Sequence, residues 1–152
     1  MTYFLALLIG IVSGLRALTP LAAVSWAAQT GTLSLGSSPL AFLGYRWTPW
    51  IATVLALGEL LTDQLPGTPS RKVPVQFATR VLVGAICGAA LAFPSASWVA
   101  GAGFGAVGAV LGTLGGAAAR GRMAAAFGSD RPAALIEDAV AIIAAVLIVR
   151  AA

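Results

Sequence analysis

The stretch Gly58-Glu59-Leu60-Leu61-Thr62-Asp63-Gln64-Leu65-Pro66-Gly67 closes an apolar run that starts at Trp47. Glu59 and Asp63 are spaced i and i+4, so a helix carries both carboxylates on one face. Pro66-Gly67-Thr68-Pro69-Ser70 then stops the helix, and Arg71-Lys72 follows. Two potential negative charges at or below a lipid boundary need partners or water. What they do there depends on the rest of the chain.

Of the 152 residues, 59% are hydrophobic and 9% charged, and the mean hydropathy is +0.95, outside the mix of a soluble domain. The chain reads as an integral membrane protein with room for about five spans of roughly 20 residues each. A single transmembrane helical domain over residues 1–152 is expected. Nine Lys and Arg against five Asp and Glu fit a positive-inside bias in short connections better than nucleic-acid binding. The absence of His removes the usual metal ligand, proton shuttle and triad base. The single Cys87 lies in an apolar run and reads as a small buried hydrophobe. Met1 to Gly14 is apolar without the basic start of a signal peptide, and reads as part of a retained first span.

In chain order, a first span is expected from Tyr3 to Ala28, kinked at Pro20 close to Arg16. Residues 29–46 turn more polar around the short apolar patch Leu40 to Leu43 and read as interfacial or re-entrant. Further spans are expected over Trp47 to Leu65, Val73 to Phe93, Trp98 to Ala119 and Ala133 to Val149. Gly128-Ser129-Asp130-Arg131-Pro132 is a helix-start signature before the last of them. Five spans gather Arg71, Lys72, Arg120, Arg122 and Arg131 on one side and leave Arg46 and Arg150 on the other. The N-terminus is therefore expected in the cytoplasm and the C-terminus outside, with Trp26, Trp47, Trp50 and Trp98 forming an outer aromatic belt.

That topology draws the charges within the spans together. Glu59, Asp63, Arg80, Glu137 and Asp138 fall near the inner ends of their helices, and Arg16 lies nearer mid-membrane. Each costs on the order of 3 kcal/mol on an insertion scale, so they should face one another or water. Glu137 and Asp138 are adjacent and diverge by about 100°, which predicts that only one points straight at the cluster. Four acids against Arg16 and Arg80 leave a negative excess that protonates or binds a cation. The competing reading is that arginine–carboxylate pairs simply fix helix packing. An anionic solute or lipid headgroup held by the arginines is a third. No catalytic motif is found, and no cofactor or metal site is expected.

Gly101, Gly105, Gly108, Gly112 and Gly116 have small-xxx-small spacing on two faces of the fourth span, for packing within the bundle or in a homo-oligomer. The same stretch matches GxGxxG at Gly103 to Gly108, but no strand precedes it and it is apolar helix, so a dinucleotide site is not expected. The basic inner loops read as topology determinants before lipid-headgroup sites. Arg16 then Glu59, and Arg80 then Glu137, echo one another without making an inverted repeat.

Gly14-Leu15-Arg16-Ala17 with Pro20, then Glu59 and Asp63 before Pro66, then a basic stretch leading to Pro132 and Glu137-Asp138, resembles the domain-of-unknown-function 4126 family of small bacterial membrane proteins. Where members commonly have Lys after the Asp of the second-span motif, this chain has Gln64. The resemblance implies a polytopic inner-membrane protein and no established activity.

The expected fold is thus an all-α integral membrane bundle of five transmembrane helices plus one interfacial or re-entrant segment. The expected function is a small cation- or proton-coupled transporter or channel, with Arg16, Glu59, Asp63, Arg80, Glu137 and Asp138 as its site. The alternative is a non-transporting scaffold or lipid-binding protein whose ion pairs fix packing. Partners would be membrane lipids, a small solute or cation, and a second copy of the chain, with no nucleic acid.

Overall fold

The computed structural model describes residues 1–64 and 73–152. The Pro66-Gly67 stop and Arg71-Lys72 lie outside the described residues. Six α-helices carry most of the described chain: α1 (Thr2–Leu15), α2 (Leu18–Gln29), α3 (Thr48–Thr62), α4 (Pro74–Ala92), α5 (Trp98–Phe127) and α6 (Asp130–Ala151). There is no strand among the described residues. Helices α4, α5 and α6 are long and apolar enough to cross a membrane, whereas α1 and α3 are apolar but shorter. By length and composition three helices are thus able to span a membrane, and the five expected spans are not confirmed.

The first expected span is two helices running in opposite directions. Arg16 is extended, with φ −140° and ψ 113°, and ends α1. Pro20 is the third residue of α2, where a first-turn N–H has no helical partner to lose. The proline that suggested a kink is thus part of a helix start. Tyr3 stacks on Phe104 with ring centroids 5.4 Å apart, and its hydroxyl accepts from the Ser97 N–H at 3.2 Å. At the other end of α1, the Ser13 hydroxyl donates to the Arg80 carbonyl at 2.8 Å. α1 therefore runs from the α4–α5 turn toward the start of α4, parallel to α5. α2 returns along α3: the Leu18 N–H lies on Glu59, the Trp26 indole donates to Thr53 Oγ1 at 3.0 Å, and the Gln29 amide donates to the Arg46 carbonyl at 3.0 Å. The result is a helical hairpin about 21 Å deep with Arg16 at its tip.

This reversal corrects the expected placement of the ends. The start of α1 lies beside Ser95 and Ser97, and α6 starts beside Arg120 and runs back past α2. Both termini therefore lie at the end of the bundle that carries Trp47, Trp50 and Trp98, opposite the charged end. Residues 29–46 cap that tryptophan end. Leu33, Leu35 and Leu43 are buried in the same apolar cluster as Cys87, Ala90 and Leu91, around a 3-10 turn at Ala41–Gly44. Pro39 and Leu40 line a groove with Ala89, Phe93 and Trp98. The segment lies over the bundle end, and the element that turns back within the bundle is the α1–α2 hairpin.

Glycine sets how closely the helices approach. A Cβ on Gly105 would strike the Gly84 carbonyl of α4, and one on Gly101 would strike the Gly88 carbonyl and the Ala92 side chain. On the adjoining face, Gly108 abuts the Leu7 carbonyl of α1 and Gly112 the Ile11 carbonyl. Backbone thus meets backbone across α1, α4 and α5, the packing that small residues permit. Gly101, Gly105, Gly108 and Gly112 are filled within the chain, so a second copy would have to use another face. Gly116 lies just beyond this contact, on a groove with Leu15 and Val140. α5 also continues past the expected end at Ala119 to Phe127, where Gly128 stops it at φ +67°. α2 packs chiefly on α3, and α6 makes a looser seam with α1, α2 and α5.

Candidate functional site: an arginine–carboxylate latch

Breaking a helix leaves unpaired carbonyls on one side of the break and unpaired N–H groups on the other. Far from water these need partners, and here charged side chains supply them. Arg80 Nη1 donates to the Gly14 carbonyl at 3.0 Å and to the Leu15 carbonyl at 2.7 Å, at the end of α1. Glu59 accepts from the Ala17 N–H at 2.9 Å through Oε1 and from the Leu18 N–H at 2.8 Å through Oε2, at the start of α2. A cation therefore meets the negative end of one helix dipole and an anion the positive end of the next. Arg80 Nη2 and Glu59 Oε1 are themselves 3.5 Å apart, closing a ring around the tip.

Arg16 occupies the centre with its side chain fully buried. Its Nη1 pairs with Asp63 Oδ2, its Nε donates to Asp138 Oδ1 at 2.5 Å, and its Nη2 lies 3.7 Å from Glu137 Oε2. Arg16 is thus level with the acids rather than nearer mid-membrane, because the chain turns back at this residue. Glu137 and Asp138 both engage, against the expectation that only one would. Two guanidinium groups flank α6 here, so divergent side chains each find one: Asp138 meets Arg16, and Glu137 Oε2 also lies 3.4 Å from Arg120 Nη1.

Arg120 and Asp130 are the members that sequence reasoning missed. Arg120 Nη1 donates to Asp63 Oδ2 at 2.7 Å, and its Nε and Nη2 form a two-point pair with Asp130 at 2.9 and 2.6 Å. Both residues fall between the fourth and fifth expected spans. The available signal was that Ala117 to Phe127 is free of helix breakers apart from Gly121 and continues the α5 helix. The Gln64 amide donates to Asp138 Oδ2 at 3.0 Å, so a neutral donor joins the end of α3 to α6.

Charge is sorted by helix. The three arginines of the network come from α1's end, α4 and α5, the helices packed backbone to backbone. All five carboxylates of the chain come from α3 or its end and from α6. The network therefore latches two less tightly packed helices, and the hairpin tip between them, onto a tight core. Arg80 lies about 9 Å from the start of α4 and Glu137 about 10.5 Å from the start of α6, where Asp130 is the first residue.

The model of the family described as "Domain of unknown function (DUF4126)" matches residues 3–152. No curated protein matches the chain, and no solved structure does.

Proposed function

The chain belongs to the DUF4126 family, and we propose that it is a small inner-membrane transport protein in which the arginine–carboxylate latch closes the cytoplasmic end. The observation that carries this reading is the helical hairpin that stops at a charged tip. Discontinuous helices ending on charged groups are how many transporters build ion-coupled sites within a bundle. In this reading the charged end faces the cytoplasm, with Arg122, Arg131, Arg71 and Lys72 as the positive-inside signal, and both termini face outward with the tryptophans.

The chemistry follows from competition for the carboxylates. Asp63 is shared by Arg16 and Arg120, and Asp138 by Arg16 and Gln64. A proton or small cation on Asp63 weakens its hold on both guanidinium groups at once, so binding and release of the latch are the same event. Glu59 and Arg80 keep the broken helix ends satisfied throughout.

A static scaffold is the second reading, favoured by the engagement of all five carboxylates. Flux separates the two. Wild-type protein in liposomes is expected to dissipate an imposed proton or monovalent-cation gradient, and Asp63→Asn, which releases the latch but cannot take up and give back the ion that re-closes it, is expected to stall the cycle and reduce that flux about tenfold or more, equivalent to at least ~1.4 kcal/mol on the barrier. Equal flux in the two proteins defeats the assignment of Asp63, and no flux above empty liposomes favours the scaffold.

A further inference from the structure

We infer that α2 and α3 move as one arm, pivoting at the tryptophan end and released at the latch, while α1, α4 and α5 stay fixed. This deepens the gating reading above and rests on it. Three observations carry it.

First, α2 and α3 are joined to each other along their length. Glu59 caps α2, the Trp26 indole bonds Thr53, and Trp26 packs edge-on against Trp50 at 5.0 Å. Second, the arm's two attachments differ in kind. At the tryptophan end, Leu33, Leu35 and Leu43 are buried in the core cluster and Gly44 packs on Ala28, which makes a permanent apolar anchor. At the other end α3 is held by charged and polar contacts from Glu59, Asp63 and Gln64 to Arg80, Arg16, Arg120 and Asp138. A bond between charges can be exchanged for one to a proton, ion or water, whereas buried leucines offer no such exchange.

Third, the seam between the arm and α6 is only partly filled. A groove of about 240 Å³ runs between them, lined by Thr19, Ala22, Ala56, Leu60, Ile142 and Val146. The opposite seam, α1 against α5, has carbonyls against glycines and no room to slide. Hinge motion of this kind uses a few residues at element ends: the 30–47 connection lies at the pivot, and Arg16-Ala17, which tie α2 to α1 at the latched end, are the joint across which α2 would turn there.

Spin-label distances test it in full-length protein carrying Cys87→Ala, with cysteines at exposed sites. The pair at Leu61 and Leu114 reads the latched end of the arm against α5, Val75 and Leu114 read α4 against α5, and Ile51 and Val99 read the pivot. Asp63→Asn is expected to lengthen the first distance by about 5 Å and leave the other two unchanged. Gln64→Leu, which removes one neutral hydrogen bond, should populate the same longer distance as a minor fraction if Asp63→Asn does not fold. The longer distance without any ion flux supports the moving arm and defeats transport alone. Unchanged Leu61–Leu114 distances in both variants, or flux with an immobile arm, overturn the inference.

Discussion

Replacing Arg16 with Gln is expected to cost about 3–5 kcal/mol, because it leaves Asp63, Asp138 and Glu137 facing one another without the fully buried cation between them. Arg120 still reaches Asp63 and Glu137, but Asp138 keeps only the Gln64 amide among the described contacts. For a domain of this size that cost is a fall of roughly 10 °C in the thermal midpoint in detergent. Adding Asp138→Asn to Arg16→Gln should restore part of the loss, since the deficit comes from an unmatched buried charge. A simple loss of packing volume would not be rescued this way. An unchanged midpoint for Arg16→Gln would mean the latch contributes nothing to holding the bundle together.

The second large effect belongs to the glycine contact. Gly105→Leu forces a side chain into the Gly84 carbonyl, where the obstacle is backbone and cannot rotate aside. α4 and α5 would have to separate, and overpacking of this kind costs about 1–3 kcal/mol or more. Because Gly88 and Gly10 also lie on Gly105, the displacement reaches α1 as well. Gly103→Leu, two residues away on the same helix with nothing within 4 Å of its Cβ position, is the matched control and should be near neutral. Melting curves of the two variants in the same detergent read the difference directly. Equal midpoints would show that the glycine spacing does not set the approach of these helices.

These effects also show what could be read from the residues alone. The glycine spacing in α5 is a local pattern, and it marks the helix that packs closest. Glu59 and Asp63 on one face, and the cost of isolating charge in an apolar run, were enough to bring six charged residues into one cluster. What could not be read was direction. A hydropathy window over Tyr3 to Ala28 is the same for one kinked helix and for two short helices folded back at Arg16. Pro20 suits either, as a kink or as a first-turn residue. The reversal is decided by contacts distant in sequence: Arg80 and Glu59 must both be present to satisfy the broken ends. Arg120 escapes a hydropathy reading for a related reason. Its charge marks a helix end in a window of hydropathy, yet α5 carries it on one face toward Asp63 and Asp130 while the helix continues.

The same geometry explains why the carboxylates divide between α3 and α6. A core held by glycine contacts has no need of charge for its own cohesion, and its arginines reach outward to helices that lack such contacts. Buried ion pairs are weak sources of net stability, yet removing one partner is costly because it strands the other charge.

The reversal at Arg16 is the claim on which the latch, the arm and the orientation all depend, and the sidedness of the ends tests it most directly. In the Cys87→Ala background, single cysteines at Thr2, Ala151 and Ser129 can be labelled with a membrane-impermeant maleimide in sealed vesicles of known orientation. The hairpin predicts that Thr2 and Ala151 label from the same side and Ser129 from the opposite one. Labelling of Thr2 from the side of Ser129 would mean that α1 and α2 form one continuous span, and would contradict the account.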